Sequence, residues 1–396
     1  MTELRIKLKP GCDRRIRGGH LWVYSNEVDV VATPLKSLEV GACAVIEDHR
    51  GKALGVATIN PNSLICARIY SRDPEQLLDV EFLKRQLQLA MERRESVYPQ
   101  QCYRLCYGDA DGLPGLVVDR FGCYLSVQLT TAGMDRHRDQ VTEALLDVVQ
   151  PRGIVFRNLG PFRQMEGLPE CVEIGWGDVP QMVEIVENQT LFEVPLLDGQ
   201  KTGWFYDHRE NRATLQRMCK GKSVLDVFSY IGGWGVEALT AGAESAICVD
   251  ASQDALESAE NNAALNGVSD RFQTIQGKAA DVLKALAQEG RQFDVVVLDP
   301  PAFIKRRKDI KQGEKAYHQI NQLAMRVLKP GGLLVSASCS MHLSDEMLMD
   351  VVRLAGARSG RRLQVIAQGG AGLDHPVHPS IPETHYLKAI FARDMG

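Results

Sequence analysis

From about Leu191 onward, short apolar runs alternate with helical stretches, and this alternation constrains the fold more than any other feature. The apolar runs are VLDVF (224–228), AICVD (246–250), FQTIQ, FDVVVLDPP and LLVSASCS. The pattern predicts helices at 234–242, 254–266, 279–288 and 314–328. Such alternation is typical of a parallel sheet with helices on both faces. Ligands of such sheets lie across the carboxyl ends of the strands, so the residues after each strand are the candidates for a site.

The chain of 396 residues exceeds what one hydrophobic core usually supports, so several domains are expected. Residues 1–75 contain three strand-like runs broken by turns, which predict a small β-barrel. An α+β segment is predicted for 76–190, opening with an amphipathic helix, and the alternating α/β domain for 191–396. Asp109 and Asp111 resemble the start of a calcium loop, but the later ligands are missing, so a hairpin turn is favoured.

Composition and charge exclude several classes of protein. The N-terminus carries charges where a signal peptide needs an apolar core, and no apolar run approaches the roughly 20 residues of a membrane span. The 10 cysteines include no C-x-x-C pair, so neither a disulfide framework nor a zinc site is indicated. We therefore expect a cytoplasmic protein without membrane contact. The net charge of −4 argues against indiscriminate coating of nucleic acid, so any RNA contact must use local patches.

Two acidic residues at strand ends indicate a cofactor site. Asp226 ends the first strand of the alternating region and is followed by Phe228, Tyr230 and Gly232, while Asp250 ends the second strand. An acid at the second position can hold two ribose hydroxyls. A dinucleotide site would need glycines where the two aromatic residues stand, which disfavours NAD. An acid after the first strand suits a cationic amino acid moiety or sulfonium, so S-adenosylmethionine is favoured over a simple structural turn.

The next two strand ends carry candidates for chemistry. Asp299 stands before two prolines that fix a stiff turn, and Cys339 follows the fifth strand. A cysteine there is more often an inert small hydrophobe, and an Asp-Pro-Pro turn can be a plain strand terminator. The ends of the two strands should be neighbours, however, so both side chains are expected to face one pocket. A thiolate that adds to cytosine C6 would activate C5, and a carboxylate opposite could bind the N3/N4 edge of the base.

Two basic segments are candidates for RNA phosphate contacts, with a solvated surface as the alternative. The predicted RNA-binding residues are Arg14, Arg15, Arg17, His20, Lys305, Arg306 and Arg307. Asp374-His375-x-x-His378 could suggest a metal, but the interleaved prolines prevent the helical spacing that aligns two imidazoles. No metal is therefore predicted.

Taken together, the chain resembles the RlmI-like cytosine-C5 methyltransferases of bacterial large-subunit ribosomal RNA. The motifs that carry the resemblance are the Arg-rich Gly-His-x-Trp opening, Asp111-Gly-Leu-Pro-Gly, Lys201-Thr202-Gly203, Tyr206-Asp207-His-Arg209, 226–233, 299–303, Ser338-Cys339-Ser340, Asp374-His375-Pro376 and Tyr386-Leu-Lys388. The resemblance implies an N-terminal PUA domain that binds RNA, a central α+β domain and a C-terminal class I methyltransferase domain with a Rossmann-like sheet. It also implies that Cys339 is the nucleophile and that 23S ribosomal RNA or a large-subunit precursor is the partner, and it leaves a homodimer open.

The same resemblance implies which residues contact S-adenosylmethionine. These are Lys201, Thr202, Asp226, Phe228, Ser229, Tyr230, Gly232, Asp250, Ala251 and Asp299. Two departures leave roles unassigned. Lys278 follows the third strand where an acid commonly meets adenine, and Asp281 is the substitute that the sequence offers. Pro301 stands where many RNA cytosine-C5 enzymes carry a second cysteine, so the base that removes the C5 proton is unidentified.

Three other functions are left open by the sequence. Methylation of uracil C5 needs the same thiol, whereas methylation of a guanine nitrogen needs none, so Cys339 disfavours the latter. A noncatalytic RNA-binding assembly factor is disfavoured by the joint presence of Asp226, Asp299 and Cys339.

Overall fold

The structure is a computed structural model that describes residues 4–199 and 202–396. It divides into two compact units, each built from several segments of the chain. The first unit comprises the residues up to Val183, Val194–Tyr206 and Leu373–Thr384. The second comprises Glu184–Glu193, Asp207–Gly372 and His385–Gly396. The three domains expected from the sequence, and the two boundaries between them, stay a prediction.

The N-terminal part of the first unit forms a five-stranded sheet around its own apolar core. Its elements are β1 (Arg5–Lys7), α1 (Asp13–Arg17), β2 (Trp22–Tyr24), β3 (Cys43–Glu47), β4 (Ala53–Ile59) and β5 (Ile65–Ser71). The strand order is β1-β3-β4-β5-β2, in which only the β1–β3 pair is parallel. The three strand-like runs in the sequence of this region correspond to β3, β4 and β5.

A second five-stranded sheet follows along the chain, in the order β10-β9-β8-β7-β6. The elements here are α2 (Val80–Glu95), β6 (Cys102–Tyr107), β7 (Leu116–Phe121), β8 (Tyr124–Leu129), α3 (Ala132–Arg136), α4 (Arg138–Val149), β9 (Gly153–Asn158), α5 (Pro161–Met165) and β10 (Cys171–Gly177). Strands β11 (Met182–Glu187) and β12 (Thr190–Pro195) follow and form a separate two-stranded sheet. Helix α2 begins where the Asp79 carboxylate accepts a hydrogen bond from Phe82 N at 2.8 Å. The turn between β6 and β7 holds Asp111, whose carboxylate pairs with buried Arg94 at 2.7 Å, so this carboxylate supports a hairpin, as expected.

The second unit contains the alternating α/β region and a seven-stranded sheet. Its elements are α6 (Arg209–Gln216), β13 (Ser223–Val227), α7 (Gly233–Thr240), β14 (Ser245–Asp250), α8 (Gln253–Leu265), β15 (Phe272–Gln276), α9 (Ala279–Gln288), β16 (Phe293–Leu298), α10 (Ile310–Val327), β17 (Leu328–Ser338), α11 (Asp345–Arg358), β18 (Leu363–Gly370) and β19 (Lys388–Asp394). The strand order is β15-β14-β13-β16-β17-β19-β18. Strands β13 to β17 run parallel, and β19 is antiparallel to both of its neighbours.

Local sequence signals explain the bounds of these helices. Ser252 and Ser344 cap α8 and α11 by accepting hydrogen bonds from backbone N–H groups three residues later. Helix α8 ends at Leu265, and Gly267 follows its C-cap residue with a positive φ of 66°. The central strands are apolar on both faces because helices cover both sides of the sheet, and Leu225 and Val296 are fully buried.

This topology brings the carboxyl ends of β13, β14, β16 and β17 to one edge of the sheet. The residues at or just after those ends are Asp226, Asp250, Asp299 and Cys339. The adjacency of the fourth and fifth strands that the sequence predicts is therefore confirmed. No helix among the described residues is both long and apolar enough to cross a membrane.

Candidate cofactor and catalytic site

The loop between β13 and α7 has an uncommon backbone conformation. Phe228, Tyr230 and Gly232 have φ angles of 69°, 50° and 84°. Two bulky residues with positive φ are uncommon and persist only where the surroundings hold them. Asp250 is one such support, because its Oδ2 accepts a hydrogen bond from Tyr230 N at 3.0 Å. The loop after the first strand is thus shaped by the acid at the end of the second.

Asp226 lies beneath this loop and is fully buried. Its Oδ2 accepts a hydrogen bond from Gly235 N at 3.0 Å and lies 3.6 Å from the sulfur of Cys248. Burial raises the pKa of this carboxyl to about 7. The sequence suggested a carboxylate open to a cationic ligand, but here Asp226 supports the start of α7 and has no exposed surface. A direct contact between Asp226 and the cofactor stays a prediction.

Gly232 is explained by packing rather than by a ligand. A Cβ atom at this position would lie 3.0 Å from Ala259 Cβ and 3.1 Å from Val236 Cγ2. Its φ of 84° is also a conformation that side chains disfavour. The glycine therefore allows helix α8 to pack closely against the loop. The predicted contact between Gly232 and the cofactor stays a prediction.

Asp250 is half-buried at the end of β14. Its Oδ1 accepts a hydrogen bond from Ser252 N at 2.9 Å, in addition to the bond from Tyr230 N to Oδ2. Each carboxylate oxygen keeps a further lone pair, so two ribose hydroxyls could still be accepted. The neighbouring Ala251 is exposed. Further along this edge, Asp281 is exposed and pairs with Lys284 at 3.3 Å, which leaves the adenine contact unassigned.

Asp299 is held between two ring nitrogens that sequence reasoning missed. Its Oδ2 accepts a hydrogen bond from Trp234 Nε1 at 3.2 Å, and its Oδ1 lies 3.0 Å from His208 Nε2, close but poorly aligned for a hydrogen bond. His208 is buried, and its Nδ1 lies 3.1 Å from Asn211 Nδ2. The Asp299 side chain keeps 21% of its surface exposed. A weak signal existed, because His208 lies within one of the sequence motifs and Trp234 directly follows another.

Cys339 lies directly beside the Asp-Pro-Pro turn. Its side chain is half-buried, and its sulfur is 3.9 Å from the carbonyl oxygen of Pro300. The two flanking serines are buried and face Tyr317, whose hydroxyl is 2.8 Å from Ser338 Oγ and 2.8 Å from Ser340 Oγ. The cysteine is therefore fixed by its neighbours while its own side chain keeps access to solvent.

Comparisons with known proteins bear on this arrangement. Residues 6–72 match a PUA-like domain, and residues 163–388 match the S-adenosylmethionine-dependent methyltransferases. Proteins named ribosomal RNA large subunit methyltransferase I from Shewanella denitrificans and Shewanella frigidimarina are 37% and 36% identical over 397 residues, covering 98% of this chain and 99% of each relative. The chain belongs to this methyltransferase family.

The fold of the methyltransferase is also found among solved structures. The crystal structure of SMU.776, a methyltransferase complexed with SAH, has a TM-score of 0.84 at 19% identity and covers 99% of this chain and 100% of its own. At that identity the likeness concerns the fold alone. The PUA-like domain, the methyltransferase domain and S-adenosylmethionine as the cofactor, all expected from the sequence, are confirmed.

The methyltransferase has unsatisfied polar atoms where this cofactor is expected. Asp226 Oδ1 and Ser229 Oγ are buried without a hydrogen-bond partner among the described residues. Buried polar atoms are usually paired, so two orphans at the cofactor loop fit a bound polar ligand. Of the two implied contacts in the Lys-Thr-Gly motif, Lys201 lies outside the described residues. Thr202 belongs to the first unit and is buried, and its Oγ1 has no hydrogen-bond partner within the described ranges.

The structure separates the predicted RNA-binding residues of the methyltransferase into open and paired groups. Arg14 is exposed, whereas Arg15 pairs with Glu27 at 2.8 Å and Arg17 pairs with Asp13 and Asp48 at 2.6 Å each. The three arginines therefore differ in availability, because carboxylates within the same unit pair with two of them, and their contacts with RNA stay a prediction. His20 is half-buried, and burial together with the charge of Arg15 lowers its pKa.

The second basic segment is fully open. Lys305, Arg306 and Arg307 are all exposed and follow the Asp299 turn within the second unit. The Asp-His-x-x-His segment lies in the first unit, where buried His375 Nδ1 is 2.8 Å from Asp374 Oδ1. Across residues 4–199 and 202–396, no group of three or more His, Cys, Asp or Glu side chains could hold a metal ion.

Proposed function

We propose that this methyltransferase modifies C5 of a cytosine in the ribosomal RNA of the large subunit, either as 23S RNA or in a precursor particle. The names of the full-length relatives support a ribosomal RNA substrate, and the PUA-like domain supports binding to RNA. The observation that carries the choice of atom is the half-buried thiol of Cys339, 3.9 Å from the carbonyl of Pro300 in the Asp-Pro-Pro turn.

The need for a thiol follows from the chemistry of the base. Cytosine C5 is too weak a nucleophile to be methylated unaided, and the thiolate of Cys339 overcomes this by forming an Sγ–C6 bond that moves electron density to C5. S-adenosylmethionine supplies the electrophilic methyl group that C5 takes up. A base then removes the C5 proton, the electron pair restores the C5–C6 double bond, and the Sγ–C6 bond breaks to release the thiolate.

Asp299 would bind the edge of the base beside the reacting carbons. Trp234 Nε1 donates a hydrogen bond to one oxygen of its carboxylate and His208 Nε2 lies 3.0 Å from the other, so the group is oriented before a base arrives. A carboxylate accepts a hydrogen bond from the N4 amino group of cytosine but faces a carbonyl oxygen at the same position of uracil. This complementarity favours cytosine over uracil, which needs the same thiol. The target must be unpaired or flipped out, because C6 is not reachable within a stacked helix.

The remaining roles complete the proposal. The cofactor contacts are those of the loop after β13, of Asp250 and Ala251 and of the Lys201-Thr202 segment, and the basic residues near 14–20 and 305–307 bind RNA phosphates. We propose the organisation expected from the sequence, with an RNA-binding domain over 1–75, a central domain over 76–190 and a methyltransferase domain over 191–396. The cytoplasmic location and a homodimer stay predictions.

Bisulfite mapping of ribosomal RNA tests the proposed product, because 5-methylcytosine resists the deamination that unmodified cytosine undergoes. A strain that lacks the gene should lose protection at one large-subunit cytosine. The wild-type gene and a Cys123→Ala control should restore it, since Cys123 is exposed and remote in sequence from the site, whereas Cys339→Ala should not. A ribosomal RNA with no cytosine affected by the deletion would refute the proposal, and a loss of methyluridine instead would point to uracil.

A trapping experiment tests the covalent step separately. RNA that carries 5-fluorocytosine at the mapped position should form a denaturation-resistant adduct with the wild type, because fluorine cannot leave as the C5 proton does. The Cys339→Ala variant should form none. An equal yield of adduct from both proteins would exclude Cys339 as the nucleophile.

A further inference from the structure

Lys388 is buried beside the candidate nucleophile although nothing in the proposed chemistry uses it. It is the first residue of β19 and pairs with Ser338 of β17 on one side and with Gly370 of β18 on the other. Only 3% of its surface is exposed, and its ammonium group donates a hydrogen bond to the carbonyl oxygen of Ser340 at 2.9 Å. A lysine is rarely buried to this extent unless it is paired, because its charge must leave water.

Few charges compensate this ammonium group. Burial lowers the pKa of Lys388, and the charges that oppose this lowering are those of Asp345, at the start of α11, and of Cys339 in its ionised form. Asp345 is a weak counter-ion, because 54% of its side chain is exposed and it also contacts His385 at 3.2 Å. After Asp345, an ionised Cys339 is the second negative charge that compensates the buried lysine.

The backbone around Cys339 is held from two sides. Tyr317 fixes the side chains of Ser338 and Ser340, while Lys388 fixes the carbonyl group of Ser340. The cysteine between the two serines is thus anchored without being covered. The group that anchors the segment is therefore also a cation whose charge interacts with that of an ionised Cys339.

We propose that Lys388 is a positioning residue for Cys339, which holds the Ser338–Ser340 segment in place and favours the thiolate form of the cysteine through its positive charge. A cation near a cysteine stabilises the thiolate, which is the reactive species in addition to C6. The catalytic meaning of this inference rests on the proposed function. The ionisation of the thiol does not, because it can be measured without RNA.

Alkylation of the full chain with iodoacetamide over a range of pH tests the inference on the wild-type protein. Mass spectrometry of the peptides gives the extent of modification of each cysteine, and exposed Cys123 serves as an internal reference. Half-maximal alkylation of Cys339 should occur at a lower pH than that of Cys123. A midpoint equal to or above that of Cys123 would overturn the proposal without any substitution in the chain.

Three substitutions then separate charge from hydrogen bonding. Lys388→Gln keeps a donor for the Ser340 carbonyl but removes the charge, Lys388→Met removes both, and Lys388→Arg keeps the charge. Gln and Met should raise the midpoint of Cys339 by about one pH unit, Arg should stay near the wild type, and Cys123 should be unaffected. Circular dichroism and S-adenosylhomocysteine binding confirm that the variants are folded. A wild-type midpoint in folded Lys388→Gln would exclude the charge as the cause.

The two proposals fail in different ways. If Cys339→Ala methylates RNA normally while Lys388→Gln shifts the midpoint of the thiol, the proposed function is wrong and the inference about Lys388 stands. If Cys339→Ala is inactive while the midpoint does not respond to Lys388, the inference is wrong and the nucleophile stands.

Discussion

The carboxyl ends of β13 and β17 lie at the same edge of the sheet, yet the candidate side chains there, Asp226 and Cys339, differ in access to solvent. Asp226 is sealed beneath the cofactor loop and bonds to the backbone of α7, whereas Cys339 is half-buried beside the Asp-Pro-Pro turn. The sequence marks both residues in the same way, as candidate site residues at the ends of parallel strands. Burial, which the residue type does not reveal, separates Asp226 as a supporting group from Cys339 as the proposed nucleophile.

The largest effect is expected from replacing the proposed nucleophile, Cys339. Cys339→Ala should lower the rate of methyl transfer by on the order of 10⁴-fold or more, because the covalent step has no substitute. Binding of S-adenosylhomocysteine should stay within about twofold of the wild type, since the thiol acts only on the base. Single-turnover transfer to RNA and calorimetry measure the two quantities, with Cys123→Ala as the matched control. A near-wild-type rate would erase the distinction and favour a nitrogen-directed enzyme.

The second test concerns the supporting group and depends on pH. The folded pKa of Asp226, about 7, lies above its unfolded value, so its contribution to stability is full below about pH 4 and is lost as the pH rises through about 7. Asp226→Asn stays neutral and can still accept the hydrogen bond from Gly235 N. Between about pH 4 and 8, the free energy of unfolding of Asp226→Asn should therefore gain about 2–4 kcal/mol relative to the wild type.

Denaturant unfolding of both proteins at several pH values measures this difference. The relevant quantity is the change in the gap between the two curves, because other groups titrate equally in both proteins. Curves that run parallel from pH 4 to 8 would mean that Asp226 is solvated and ionised, and the contrast with Cys339 would disappear.

A third test concerns His208, which is proposed to act by orienting the carboxylate of Asp299. His208→Ala should lower kcat about tenfold to a hundredfold, because Asp299 loses one of the two groups that orient it. His208→Gln is the matched control, since its amide can place an N–H near the same oxygen, and it should keep most of the activity. Cofactor affinity should change little in either variant. If both substitutions reduce kcat equally, the ring nitrogen of His208 does not orient the carboxylate.

The smallest effect is expected from the arginines of the N-terminal segment, where an exposed residue is compared with a paired one. Arg14 is exposed, whereas Arg17 is paired with two carboxylates. Arg14→Ala should therefore reduce the slope of RNA affinity against salt concentration by about one, while Arg17→Ala should change it less. Filter binding or fluorescence anisotropy over a series of salt concentrations gives both slopes. Equal reductions would mean that the internal ion pairs of Arg17 open when RNA binds.

Much of the fold of the second unit could be predicted because its signals are local. The strand over 272–276 and the helix over 279–288 have the predicted bounds, and the helix expected over 254–266 ends before Gly267 as its cap indicates. Helix α10 begins four residues before the prediction, at Ile310. The position of β19 between β17 and β18 could not be predicted. The order of helices and strands along the chain does not reveal that the last strand inserts between two earlier ones.

The candidate site was predictable at the strand ends but not in its supports. Trp234 meets Asp299 across 65 positions of the chain, and Lys388 meets Ser340 across 48. Contacts of such separation depend on tertiary packing, which a single sequence does not encode in any spacing. The burial of Asp226 was missed for the same reason, since Gly235 and Cys248 close over it only in the folded unit.

The place of β19 in the sheet has a consequence for the order of synthesis. Cys339 leaves the ribosome well before Lys388, which must enter between two strands that precede it in the chain. At the usual rates of translation, the 48 residues from Ser340 to Lys388 correspond to roughly 2–10 s. During that interval the nascent chain carries its thiol without the cation beneath it. The proposed catalytic site is therefore completed only near the end of translation, when most of the chain has already emerged.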